Sequence, residues 1–258
     1  MVEKFNFKNK IILISGSNGY IGKKLCETFI KLGAKVIATD IQADSNIKKK
    51  NKKNFSYYSC DLTDPISVKN FIRKIKIKIN YLDIIVNNAS FTGESLLKGW
   101  STSFKNQNSK NWKKVFDVSL SSSFELIRSF YSLLKKRKKS SIVNISSIYG
   151  FMGPDWSMYK NTGIYNPAGY GISKSGIIYM TKWLATTMAP SVRVNSVSPG
   201  GILRKQPKKF INKYINKVPL KRMCNEQDVV NAILFLSSDL SNYITGQNII
   251  VDGGFSLK

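Results

Sequence analysis

Histidine is absent from the sequence, which rules out Ser-His-Asp catalysis and His-ligated zinc together. Cysteine is scarce: Cys26, Cys60 and Cys224 are odd in number, widely separated and without metal-type spacing. That pattern fits reduced thiols in a cytoplasmic protein rather than a disulfide framework, and it supplies no metal site. Acidic residues are few, Asp+Glu 15 against Lys+Arg 41, for a net charge of +26. Such a surplus attracts polyanions: nucleic acid, an anionic membrane or a phosphorylated substrate. The lysines are nevertheless spread along the whole chain (Lys48-Lys-Lys50, Lys135-Lys-Arg-Lys-Lys139, Lys208-Lys209), and Asn and Ile are abundant too. We therefore read the charge as a coat on a lysine-rich chain, with neither nucleic acid nor membrane as partner. No nucleic-acid-binding motif accompanies it. No apolar run reaches membrane-spanning length, and the charged stretch from Met1 to Lys8 lacks the apolar centre of a secretion signal.

What is present suits one domain with a full core: 258 residues, 42% of them hydrophobic. The apolar run Ile11-Ile-Leu-Ile14 reads as a buried parallel strand. It leads into Ser15-Gly-Ser-Asn-Gly-Tyr-Ile-Gly22, then a helix ending at Gly33, then a second strand closing on Asp40. Strand, glycine turn, helix, strand and terminal acid make a βαβ dinucleotide-binding unit. The glycines let the backbone approach a pyrophosphate, and the helix N-terminus offers free N–H groups. Asp40 stands where an acid accepts from an adenosine ribose and repels a 2′-phosphate, so NAD is expected over NADP. Gln42, Lys48 and the basic run beyond leave room for the phosphate reading.

Further strands are expected at 55–60, 82–86, 141–147, 192–197 and 248–254, and helices at 66–79, 111–134, 167–188 and 226–237. The segment 91–110 reads as a loop, and the basic segment up to Arg222 shows little strand signal. Strands alternating with helices predict a single α/β, doubly wound Rossmann-type domain over 1–258. Its sheet would be mostly parallel and seven-stranded, with helices on both faces.

Tyr170 and Lys174 are four residues apart on one helix face, followed by an apolar run. A free phenol, with a pKa of about 10, is a poor acid or base at neutral pH. An ammonium one turn away favours the phenolate and brings the group toward a useful range.

Taken in order, Ser15-Gly16…Gly19…Gly22, Asp61-Leu62, Asn87-Asn88-Ala89, Ser147-Ile-Tyr-Gly150, Tyr170…Lys174, Asn195…Pro199-Gly200 and Val251-Asp-Gly-Gly254 resemble the short-chain dehydrogenase/reductase family from end to end. The resemblance implies that Tyr170 exchanges a proton with the substrate oxygen while a nicotinamide accepts or delivers hydride. It implies that Lys174 tunes the phenol and binds the nicotinamide ribose, and that Ser147 holds the reacting oxygen. Cofactor contacts are expected from Gly16, Asn18, Gly19, Tyr20, Ile21, Gly22, Asp40, Asp61, Leu62, Asn88, Ala89, Tyr170, Lys174, Pro199, Gly200 and Ile202. The family also implies a homodimer or homotetramer built on the helices near 111–134 and 167–188, and a substrate lid at about 201–222.

Three departures stand out. Simple members of the family space their glycines G-x-x-x-G-x-G; here Tyr20 holds the middle site and Gly19 precedes it. That spacing is closer to the extended, sugar-nucleotide-modifying branch, whereas length and the terminal Asp252-Gly-Gly254 fit the simple one. Ser119 replaces the usual Asn that helps hold a water behind the lysine. It would serve the proton relay less rigidly, or be a small core residue. Finally, Ser147 and Tyr170 are further apart than usual, and the extra residues, about 155–166, include Trp156, Tyr159, Lys160 and Tyr165. Aromatics with a basic residue suit sugar stacking and an anionic group, although such a loop also suits packing on a neighbouring subunit. A similar insertion occurs in members linked to surface-glycan and flagellin modification, so a sugar-derived substrate is expected. Arg204, Lys205, Lys208 and Lys209 would lie in the lid. The alternatives are a 3-oxoacyl-(acyl-carrier-protein) reductase, against which Asp40 argues, and a non-catalytic dinucleotide-sensing or nucleic-acid-binding protein. The intact Ser147, Tyr170 and Lys174 set argues against the last.

Overall fold

The first strand, β1 (Ile11–Ser15), is buried at every position because its side chains feed two cores at once. Ile11 and Leu13 join one apolar cluster, Ile12 and Ile14 the other, as the alternation of side chains along a strand requires. The computed structural model describes residues 5–42, 53–91 and 97–257.

Around β1 the chain builds a seven-stranded sheet with β2 (Lys35–Asp40), β3 (Phe55–Ser59), β4 (Ile84–Asn87), β5 (Ser140–Ile145), β6 (Val192–Pro199) and β7 (Asn248–Val251). The strand order is β3-β2-β1-β4-β5-β6-β7, and every pairing is parallel. One face is covered by α1 (Tyr20–Lys31) and α8 (Glu226–Ser237), which contribute Leu25, Phe29, Val230 and Ile233. The other face is covered by α2 (Pro65–Lys78), α4 (Ser122–Lys135) and the long α6 (Ala168–Met188), through residues such as Phe71, Phe130 and Leu184. Each such side chain contributes about 1.5–3 kcal/mol on burial. This is the doubly wound α/β arrangement expected from the alternating pattern, all-parallel rather than mostly parallel. Among the described residues no helix is long and apolar enough to cross a membrane.

Local signals set the element ends. Asp64 accepts from the Ile66 N–H with Pro65 in the first turn of α2, and Asn225 with Asp228 forms a capping box on α8. The strand order reverses between β1 and β4, so the crevice at their carboxyl ends is the natural ligand site.

Three segments differ from the sequence reading. The helix expected at 111–134 starts as α3 (Ser109–Phe116), passes through a π turn at Asp117–Ser121 and continues as α4. The serine run explains the irregularity: the Ser122 hydroxyl donates to Val118 O and that of Ser123 to Ser119 O, competing with the regular ladder. The insertion forms a short helix, α5 (Trp156–Tyr159). The basic segment contains α7 (Lys208–Lys217), which buries Phe210 and Tyr214 on one face. These two residues, with Ile148, Met158, Tyr159, Val218, Met223 and Phe255, make a third cluster beyond the sheet. Lys48 and part of the expected 91–110 loop lie outside the described residues.

Candidate active site

The crevice at the strand ends is a cavity of about 850 Å³ running from the end of β2 to the insertion. Its walls include all the residues expected from sequence to bind cofactor except Gly22, together with Ser147, Tyr170 and Lys174. Ser119 is not on its surface.

At one end lies the glycine turn. Gly16 has φ +66°, and a Cβ there would stand 2.7 Å from Ala89 Cα, so the turn needs glycine for conformation and for space. Gly22 sits one turn into α1, where a Cβ would be 2.1 Å from Gly16 O; it serves helix-to-turn packing, not the cavity wall. Asn88 ties the turn to β4 by donating from Nδ2 to Gly16 O at 2.8 Å. Gly19 caps α1 without a side-chain hydrogen bond, so the helix presents its N-terminal N–H groups where Gly19, Tyr20 and Ile21 line the cavity. The Asp40 carboxylate accepts from the backbone N–H groups of Asn18 and Ile41, each at 2.8 Å, which fixes it beside the turn. Asp61 accepts from Thr63 N–H, and Leu62 is buried next to it. These features fit a dinucleotide: an open helix terminus and glycine cradle for the pyrophosphate, and a fixed carboxylate for a ribose.

At the other end, β5 delivers Ser147 just past its last residue, and the Ser147 hydroxyl accepts from Tyr149 N–H at 3.2 Å to start a short turn. Tyr170 and Lys174 come from the first turns of α6. Lys174 is almost completely buried, and its Nζ donates to Ile145 O at 2.7 Å and lies 5.7 Å from the Tyr170 ring centroid. The Ser146 hydroxyl donates to Lys174 O at 2.8 Å, and a buried chain from Asn87 through Asn144 to Thr181 links β4, β5 and α6. The three side chains therefore sit on elements locked to one another.

Electrostatics depart from the one-turn argument. Burial pushes the Tyr170 phenol above its ordinary value, and a hydrogen bond with Ser147 only partly opposes this. Burial brings the Lys174 ammonium down to about 7. Of the pair it is thus the lysine whose proton affinity falls near neutrality, so it can exchange a proton at physiological pH.

Ser119 lies fully buried in the π turn, 3.0 Å from the Ser90 hydroxyl, and its carbonyl accepts from Ser123. Ser90 lines the cavity, so Ser119 stands one residue behind the wall. Several wall residues carried no sequence signal as site residues, among them Ile41, Cys60, Ser90 and Tyr214. Tyr214 accepts from Gly201 N–H at 2.6 Å and stacks on Phe255, a long-range placement that only the fold reveals. Tyr149 stood within the Ser147-Ile-Tyr-Gly150 motif and could have been found there.

An open helix terminus beside a fixed acid, in one cavity with Ser147, Tyr170 and Lys174, defines a dinucleotide-dependent oxidoreductase. Residues 17–256 match the family described as enoyl-(acyl carrier protein) reductase. The 3-oxoacyl-[acyl-carrier-protein] reductase FabG of Buchnera aphidicola is 34% identical over 254 residues, 96% of this chain and 97% of that protein. The post-translational flagellin modification protein A of Campylobacter coli is 29% identical over 258 residues, covering 97% and 99%. A short-chain dehydrogenase from Leptospira borgpetersenii, solved with bound NAD+, superposes with a TM-score of 0.89 at 35% identity, over 99% of this chain and 97% of that one. The chain belongs to the short-chain dehydrogenase/reductase family, whose members act on CH–OH groups and carbonyls with NAD(P).

Proposed function

We propose that this chain oxidises or reduces a secondary alcohol or carbonyl of a sugar-derived substrate, with NAD as its cofactor. Tyr170 exchanges the proton at the substrate oxygen, Ser147 holds that oxygen, and Lys174 supplies or removes the proton behind the phenol. The bound nicotinamide supplies or accepts the hydride. Ser119, through Ser90, is assigned to the polar path behind the lysine. Residues 155–166 roof the reaction end, and 201–222 form the lid.

The observation that carries the sugar assignment is the polar cluster brought in by the insertion. The Tyr149 and Tyr159 hydroxyls are 2.5 Å apart, and Asn166 Nδ2 donates to the Tyr159 hydroxyl at 3.2 Å. Two hydroxyl protons are available and the pair uses one between its members. Whichever ring donates, one O–H remains for a third group, and all three residues line the cavity. A buried donor of this kind selects a substrate carrying an acceptor oxygen beside the reacting carbon, because an apolar neighbour would leave it unpaired at a cost of about 1–3 kcal/mol. Exposed Trp156 and Tyr165 and the cavity-lining Lys205 suit a ring face and an anionic group. The likeness to a flagellin modification protein is in keeping with this reading.

A second reading has its own support. The 34%-identical relative is a 3-oxoacyl-[acyl-carrier-protein] reductase, and a 3-oxoacyl thioester also carries a nearby acceptor oxygen. Turnover of sugar and nucleotide-sugar alcohols or ketones with NAD(H), against 3-oxoacyl thioesters with NADPH, separates the two.

Asp40 carries the NAD preference. Removing its carboxylate in Asp40→Ala is expected to weaken NAD binding by about tenfold, the loss of one charge-assisted hydrogen bond, and to relax discrimination against NADP. Fluorescence titration of both reduced cofactors checks this, and an unaltered preference would refute the assignment. The apolar side chains exposed on α3, α4 and α6, Trp112, Phe124, Tyr179 and Trp183 among them, suit a homodimer or homotetramer.

A further inference from the structure

Tyr20 is the first residue of α1 and is 53% exposed, yet one face of its ring is covered. The Arg204 guanidinium carbon lies 4.1 Å from the ring centroid, within cation–π range. Arg204 comes from the chain just beyond β6, and its side chain is only 11% exposed. It is held there by two groups: its Nη1 lies 2.6 Å from Glu226 Oε1 at the start of α8 and donates to Leu203 O at 2.7 Å.

The backbone under Arg204 is equally constrained. Its own N–H donates to Gln206 Oε1 at 2.6 Å, while Gln206 Nε2 donates to Ile202 O at 2.8 Å. Leu203 N–H donates to Cys224 O, and Cys224 N–H to Gly201 O, fastening this stretch to the approach to α8. Three pieces, the glycine turn, the root of segment 201–222 and the N-terminus of α8, thus meet at one stacked pair. Tyr20 and Arg204 both line the cavity at the end where the glycine turn opens. Among the described residues, Nε and Nη2 of Arg204 make no hydrogen bond, so these N–H groups remain for an anion. The turn itself does not need the tyrosine, since Gly16 and Gly22 meet its steric demands.

We propose that Tyr20 and Arg204 form a clasp across the cavity mouth that retains the bound dinucleotide, with Arg204 stacked on Tyr20, steadied by Glu226 and turned toward the pyrophosphate. The proposal rests on the assignment of this end of the cavity to the cofactor. Neither touches the substrate or the reacting atoms: Arg204 meets the cofactor, Tyr20 positions Arg204, and their effect falls on how fast the cofactor leaves. A stacked guanidinium is planar and keeps its outer N–H groups in a fixed fork, which suits a diphosphate better than a free lysine would.

The test is stopped-flow displacement of NADH by excess NAD+, followed by nicotinamide fluorescence, on the parent, Tyr20→Ala, Tyr20→Phe, Arg204→Ala and the double Tyr20→Ala/Arg204→Ala protein. Loss of a partly desolvated cation–π contact is expected to speed release on the order of tenfold in Tyr20→Ala, with Arg204→Ala at least as fast. Tyr20→Phe keeps the ring face and should release at the parental rate. The double protein should be no faster than Arg204→Ala, because the two residues act as one unit. Thermal midpoints should stay close to the parent, which separates a clasp from general stabilisation. Release within twofold of the parent in Tyr20→Ala, or independent multiplicative effects in the double protein, would overturn the clasp. A parent protein that binds no NADH would overturn the cofactor assignment beneath it.

Discussion

Tyr170→Phe is expected to lower turnover by about 10²–10⁴-fold, the range of a positioned general acid or base, while NADH affinity stays within about twofold of the parent. The change removes one oxygen and leaves the ring where α6 holds it. Ser147, which opposes the burial effect on the phenol, loses a partner and keeps its hydrogen bond with Tyr149 N–H. On the proposed assignment the cofactor is held by the glycine turn, Asp40 and the β4 end, which the Asn18–Asp40 and Asn88–Gly16 hydrogen bonds fix without the Tyr170 hydroxyl. The expected signature is therefore a fall in kcat with little change in cofactor binding. Steady-state kinetics with fluorescence titration measures both, and retained turnover would refute Tyr170 as the proton donor.

The second large effect belongs to Lys174, and it has a pH dependence that a structural lysine would not show. Its ordinary value of 10.5 falls to about 7 because burial disfavours the charged form. The unfolded chain therefore holds more protons than the folded protein between about pH 7 and 10.5. The sign follows: the contribution of Lys174 to stability rises with pH through that window, by up to ~1.4 kcal/mol per unit, and its full penalty applies below it. Lys174→Met removes the titration. The stability of the parent relative to this variant is expected to increase from pH 7 to pH 9, measured by denaturant unfolding at each pH. Taking the difference cancels the buried cysteines, whose raised values act in both proteins. The variant should also lose turnover by about 100-fold or more, because the phenol then has no proton partner behind it. A difference in stability independent of pH would show that Lys174 keeps its ordinary proton affinity.

Much of this was legible in the sequence because the signals were local. β1 and β4 are short, mainly apolar runs, as strands buried on both faces commonly are. Gly16 must be glycine for φ and for its approach to Ala89, so the turn announces itself wherever strand, glycines and helix occur in that order. What was not legible depends on contacts distant in sequence. The π turn at Asp117–Ser121 arises from serine hydroxyls competing for backbone carbonyls, which no hydrophobic period records. The helix Lys208–Lys217 shows only Phe210 and Tyr214 on its buried face, diluted by lysines on the other. The electrostatics of Tyr170 also misled: neighbours four apart predict a lowered phenol, whereas burial raises the phenol and lowers the lysine instead. Desolvation cannot be read from spacing.

The two ends of the cavity differ in how they are built, and that bears on substrate. The end assigned to the cofactor offers backbone N–H groups and one carboxylate. The other end is lined by residues of the insertion, held through the Tyr149–Tyr159 hydroxyl pair and through hydrogen bonds from Lys213 to Ser157 O and Lys160 O. On the proposed reading, a wall tied on two sides suits a compact polar substrate better than a long arm entering from a carrier protein.

The most direct test of this account is the nicotinamide absorbance change produced by purified protein with sugar-derived and nucleotide-sugar alcohols or ketones and NAD(H), alongside 3-oxoacyl thioesters and NADPH. The account predicts NAD-linked turnover of a hydroxylated, sugar-derived compound that Tyr170→Phe abolishes; turnover confined to 3-oxoacyl thioesters with NADPH would contradict it.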